Sequence, residues 1–248
     1  MEPKTLKKVL DLVNKEPRNL KVIEAALSEN SISKEELMRI AISASHVYED
    51  VDGCEEYYSG TSRSIGDDEF IDENGRYYKV SKSYDQRYME EINGHPLMRI
   101  LGILLEKGLD PTICLKEDET NVMWELRYID APFLGAAAMR LLLEHGADLY
   151  VEDEGGMNLF EDVDSDVAID IDLLPYDILQ TTIQCWFVLV GYGGRPEKTE
   201  PFKLSPGHTY DELKEFEFFD YDIVYDREKK ENIMHITDIR TGEEIGYL

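Results

Sequence analysis

The chain is expected to be mainly α-helical, a stack of helix-turn-helix repeats carrying a hairpin-containing insert and a small C-terminal antiparallel β element. Three observations lead there. A phrase recurs: LLEKGLDPT from Leu104 and LLLEHGADLY from Leu141 place Gly108 and Gly146 thirty-eight residues apart. The apolar residues before each glycine fall at helical spacing, and glycine then supplies the left-handed conformation that closes a helix cheaply. After Gly194 the helical spacing stops, and short alternating runs separated by turn-type sequences take over.

Taken in order, residues 1–45 hold three short helical runs, LKKVLDLV, LKVIEAALSE and EELMRIAISAS, the third preceded by Ser33 and Glu36 at capping-box spacing. They are locally basic and are expected to cap a stack at its N-terminal end, as such arrays need for solubility. Residues 46–94 break the pattern. This insert is acidic and glycine-rich, and FIDENGRYYKV within it reads as a hairpin with Asn74 and Gly75 at the turn. Six of the fifteen tyrosines lie between 57 and 88 of it: Tyr57, Tyr58, Tyr77, Tyr78, Tyr84 and Tyr88. They suit an interface, or they tack the insert onto the helices.

Residues 95–194 carry the repeated unit. HPLMRILGILLEKGLD has Pro96 near its helix start and Gly108 past its end. TNVMWELRYID precedes the second phrase, where Leu134, Ala138, Met139, Leu141 and Leu142 are core candidates. GGMNLFEDV follows it, and a blurred third copy ends in CWFVLVGYGG, with Gly193 forty-seven residues after Gly146. Units of helix, turn, helix, glycine and loop cannot bury both faces alone, so they stack. Residues 195–248 are expected to form a meander from FEFFDYDIVYD, NIMHITDI and EEIGYL that packs on the last unit.

The best copy, Leu142, Leu143, Gly146, Ala147 and Asp148, and the weaker Leu104, Leu105, Gly108 and Asp110, resemble the ankyrin repeat family. Gly156, Asn158 and Phe160 sit where that family has the glycine, threonine and leucine of its G-x-T-P-L-H opening. No copy has the full T-P-L-H-x-A string, and both spacings exceed the family's repeat of about 33 residues. The resemblance covers about 95–195. It implies binding through turn tips and inner helices, which here carry Glu117, Asp118, Glu119, Trp124 and Tyr128 in one unit and Glu152, Asp153, Glu154 and Phe160 in the next. Trp124 and Phe160 are equally placed to be core.

Charge narrows the function. A net charge of −27 repels nucleic acid and anionic lipid and draws basic partners. From Leu141 to Gly194 there is no lysine or arginine, and 148–172 holds ten acids. Three readings follow for Asp162, Asp164, Asp166 and their neighbours. Their D-x-D-x-D spacing begins like a calcium loop, but Val167 and Leu173 stand where an EF-hand needs glycine and a bidentate glutamate. They are alternatively a solvated face, with Val163, Val167, Ile169 and Ile171 alternating as in an extended segment, or a docking surface for a basic protein.

No nucleophile elbow, phosphate loop, zinc-protease helix or dinucleotide fingerprint occurs, and five scattered histidines offer no ligand pair. Cys54, Cys114 and Cys185 are odd in number and far apart, which suits reduced thiols. The amphipathic start does not read as a signal peptide. The expectation is a cytoplasmic, non-enzymatic module without cofactor that binds a basic protein. Bacterial immunity proteins are similar in being small, acidic and sometimes built from such repeats. The contrary class is a calcium binder or metal-dependent enzyme centred on 162–172.

Overall fold

The computed structural model describes residues 3–28, 31–47, 92–115, 120–129, 133–153, 155–170, 176–196, 202–215, 219–226, 231–238 and 241–247. These are mostly helical, with a small antiparallel sheet, as the patterning predicts. The expected hairpin at Asn74 and Gly75 and the six clustered tyrosines fall outside the described residues.

Eight helices precede the sheet among the described residues: α1 (Pro3–Lys15), α2 (Leu20–Ser28), α3 (Lys34–His46), α4 (Pro96–Glu106), α5 (Val122–Leu126), α6 (Leu134–Glu144), α7 (Leu159–Asp170) and α8 (Tyr176–Gly191). Several of their starts are written in the side chains that satisfy orphan amides, while α6 begins without a side-chain cap. Ser33 opens α3 with a reciprocal capping box to Glu36. Asn121 accepts from Met123 N at 2.8 Å to open α5, and Asn158 accepts from Glu161 N at 2.8 Å in the first turn of α7.

Helix ends explain the repeated phrase. In α4, Leu109 N donates to Leu104 O at 2.9 Å and Gly108 N to Leu105 O at 3.0 Å. In α6, Ala147 N donates to Leu142 O and Gly146 N to Leu143 O, both at 3.0 Å. The blurred third copy does the same, with Gly194 N to Leu189 O at 3.0 Å and Gly193 N to Val190 O at 3.1 Å. The glycines have φ of 93°, 89° and 115°. One local closure, the Schellman turn, is thus used three times. Asp110 and Asp148 then each accept a backbone N–H two residues on, from Thr112 and Tyr150. Isolated bridges, Leu115 with Thr120 and Glu152 with Asn158, close a short finger before α5 and at the start of α7.

The helices pack in order. Neighbours pair as α1 with α2, α3 with α4, α5 with α6 and α7 with α8. Between pairs, α1 meets α3 and α3 meets α5, while α2 meets α4, α4 meets α6 and α6 meets α8. A polar tie crosses most junctions: Ser43 to Asn14 at 2.7 Å, Lys107 to Ser28 at 2.9 Å, His46 to Glu125 at 2.8 Å, and Tyr192 to Glu144 at 3.3 Å. Gly135 is where α6 passes the end of α5. A Cβ there would strike the Leu126 carbonyl. Gly135→Ala is expected to cost about 1–3 kcal/mol in urea unfolding, because a backbone must shift to admit one methyl.

The sheet follows β1 (Lys203–Leu204) and a 3-10 helix (Tyr210–Glu215). Its other strands are β2 (Phe219–Asp226), β3 (Glu231–Asp238) and β4 (Glu244–Tyr247), antiparallel throughout in the order β1-β4-β3-β2. The 3-10 helix packs on α8, close enough that a Cβ on Gly191 would lie 2.6 Å from Lys214 N. One apolar cluster runs from Val9 to Ile245, joining helices and sheet without a break.

His95 contributes a pH dependence. Its Nδ1 accepts from Leu97 N at 3.2 Å to start α4, so that nitrogen must be unprotonated. Burial, with the Arg18 charge adding to it, lowers its pKa from 6.5 to about 4. Between these values the unfolded chain binds the extra proton and the folded one refuses it. Stability is therefore full above 6.5 and is lost as pH falls towards 4, by about 3 kcal/mol for a shift of this size. His95→Asn keeps a capping oxygen without the titration. Urea midpoints measured from pH 7 to pH 4 should fall less steeply in that variant.

Candidate functional site

The expected binding residues separate into two groups. Trp124 is buried, and its Nε1 donates to Val151 O at 3.1 Å, tying α5 to the chain before the second finger. Phe160 is buried as well, edge-on to Tyr150 at 6.2 Å. Both are packing residues. Asp153 is partly buried, and its Oδ1 accepts from Gly155 N and Met157 N, each at 2.9 Å, so it shapes the finger. Glu152 and Tyr128 are exposed. Glu117, Asp118, Glu119 and Glu154 lie outside the described residues.

Asp162, Asp164 and Asp166 require a correction. They lie within α7, so their carboxylates cannot curl round an ion as an EF-hand loop does, and the calcium reading of 162–172 loses its loop. Nor is 159–170 extended: Val163 and Val167, four residues apart, are buried on one side of a helix. Asp162 and Asp166, also four apart, both pair with Arg127 of the turn after α5. Asp164 lies two residues round and is buried, accepting from Trp186 Nε1 at 2.8 Å. Among the described residues no three His, Cys, Asp or Glu side chains gather as a metal site.

Arg127 is the residue that sequence reasoning missed. Its guanidinium lies 4.9 Å from the Tyr128 ring centre and 5.9 Å from that of Trp124, and it pairs with two carboxylates. The side chain is only 12% exposed. A signal existed: a tract without cations must borrow any internal counter-charge from outside, and Arg127 is one of two arginines in the preceding twenty residues.

Large apolar side chains stay outward beside exposed acids such as Asp148, Glu152 and Glu161. Tyr128 is 50% exposed, Met157 47% and Tyr150 46%; the other exposed large hydrophobic among the described residues is Val22. Tyr150 is steadied by Phe160 and by its hydroxyl, which donates to Gly193 O at 3.4 Å. Met157 caps the finger that Asp153 holds. Tyr150, Glu152 and Met157 lie within the cation-free tract, and Tyr128 meets it through Arg127, which pairs with Asp162 and Asp166. Cys114 is exposed and Cys185 is buried, both free, with burial pushing the Cys185 thiol up to about 12.

No helix among the described residues is long and apolar enough to cross a membrane. Set against protein-family models, curated proteins and solved structures, the chain matches none of them.

Proposed function

We propose that this protein is an ankyrin-like helical repeat module that binds a basic protein and performs no chemistry itself. Inhibition of that partner, in the manner of an immunity protein, is the concrete form of the reading, and a cytoplasmic location goes with it. The threefold Schellman closure, the two fingers and the odd-with-odd, even-with-even helix neighbours support the repeat architecture. That last pattern is what stacked helical hairpins produce.

The observation that carries the binding role is the exposure of Tyr128, Tyr150 and Met157 around a stretch of fifty-four residues without lysine or arginine. Aromatic and methionine side chains give a contact its area, and the surrounding acids select a cationic partner and speed its approach. Asp162 and Asp166 belong to this surface only as its support, since Arg127 already occupies them.

Capture from lysate of the source cell on immobilised protein tests the reading. The expected result is a basic protein that elutes as salt rises and is lost from a Tyr128→Ser, Tyr150→Ser, Met157→Ser variant of unchanged melting temperature. Retention by that variant at the wild-type level would sink the assignment of the surface.

A further inference from the structure

Strand β2 has only β3 as a strand neighbour among the described residues, and its register shows which of its amides face outward. Phe219 lies opposite Asp238. Asp238 spends its N–H on Glu243 O and its C=O on Gly242 N, both on the side away from β2. Phe219 likewise turns away from β3. Its N–H donates to Gln184 Oε1 at 3.0 Å, and its C=O accepts from Gln184 Nε2. A buried glutamine of α8 thus makes the two bonds that an adjoining strand would make.

Backbone direction alternates along an antiparallel strand. Tyr221, Ile223 and Tyr225, opposite Ile236, Met234 and Asn232, therefore also present N–H and C=O to the outer edge. No strand among the described residues takes them. Edge strands are ordinarily blunted by charged side chains, above all lysine, by proline or by a bulge. FDYDIVYD has neither residue, and its register with β3 is continuous. Its only charges are Asp220, Asp222 and Asp226. Those aspartates, on a chain of charge −27, oppose pairing with a second copy and favour a strand bearing lysine or arginine at alternate positions.

We propose that the outer edge of β2, from Tyr221 to Tyr225, takes an extended basic segment of the partner as an added strand, with Gln184 marking where pairing stops. This rests on the basic-partner reading and gives it a second site. Backbone pairing supplies affinity in such additions, and the alternating side chains supply choice.

The test uses the full chain and a six-residue peptide of alternating lysine and valine, with a glutamate–valine peptide as control. Binding is read by calorimetry and by hydrogen exchange at Tyr221, Ile223 and Tyr225. The lysine peptide is expected to bind and protect those amides. Methylating alternate backbone nitrogens of the peptide keeps its charge and removes its donors, and should weaken binding about tenfold or more. Ile223→Pro removes one outward N–H without touching the β3 ladder and should do the same. Equal binding of the methylated peptide, with no protection, would overturn the edge site and leave the acidic-surface reading standing. No binding by any basic peptide would sink both. Concentration-dependent self-association abolished by Ile223→Pro would assign the edge to a second copy instead.

Discussion

Replacing Arg127 with methionine is expected to lower the free energy of unfolding by about 3 kcal/mol, most of it through the acids left behind. Methionine keeps much of the length that packs against Trp124 and Tyr128, so the apolar contact is largely preserved. Asp162 and Asp166 are not. Their side chains are 23% and 36% exposed, four residues apart on one helix face, and they lose the cation that holds them together. Like charges at that spacing repel, and partial burial keeps water from screening them fully. The control is the triple variant Arg127→Met, Asp162→Asn, Asp166→Asn, which should recover more than half the loss in urea unfolding. If Arg127→Met alone unfolds at the wild-type midpoint, the ion pair contributes nothing to stability. Added salt gives an independent reading, since it should narrow the gap between single variant and wild type.

The same triad shows what the sequence could and could not tell. Helix ends were legible because their chemistry is local: glycine after a leucine pair, serine with glutamate three residues on before an apolar run. The third closure at Gly193 follows the same rule even though its surrounding residues have drifted. Strands β2, β3 and β4 were legible for a similar reason, as short apolar or alternating runs between turn signals. The two-residue β1 has no period to read. A spacing of two in Asp162, Asp164 and Asp166 suggests a loop that converges on an ion, although Val167 and Leu173 already stand against one. On a helix, spacing of four is what converges, so the first and third aspartates share Arg127 while the second turns inward to Trp186. Val167 and Leu173 argue locally against the ion loop, but nothing local names Arg127 or Trp186 as the partner. The partner of Gln184 was equally hidden, because Phe219 is thirty-five residues away and a glutamine inside IQCWFVLV looks like a flaw in an apolar run. Long-range polar contacts are written in no window of sequence.

Phe187→Ala is expected to be the most damaging single change to the sheet, at about 3–5 kcal/mol. Phe187 is fully buried on α8. Its ring stacks on Phe219 at 4.1 Å and meets Trp186 edge-on at 4.9 Å and Phe202 at 5.7 Å. Those partners come from β2, from α8 itself and from the residue just before β1, so one ring joins the sheet to the helices. Alanine would leave a cavity between rigid neighbours that cannot close over it, and the cavity adds to the lost transfer energy. Because the apolar cluster is continuous from Val9 to Ile245, the loss should appear in the whole chain. Circular dichroism for the helices and hydrogen exchange in β3 should report one shared, lowered midpoint. Two separate midpoints, with the helices unaffected, would show that the sheet unfolds by itself and that the cluster is continuous in space without being cooperative. That outcome would also bear on the β2 edge, since a sheet able to leave the helices would carry its added strand with it.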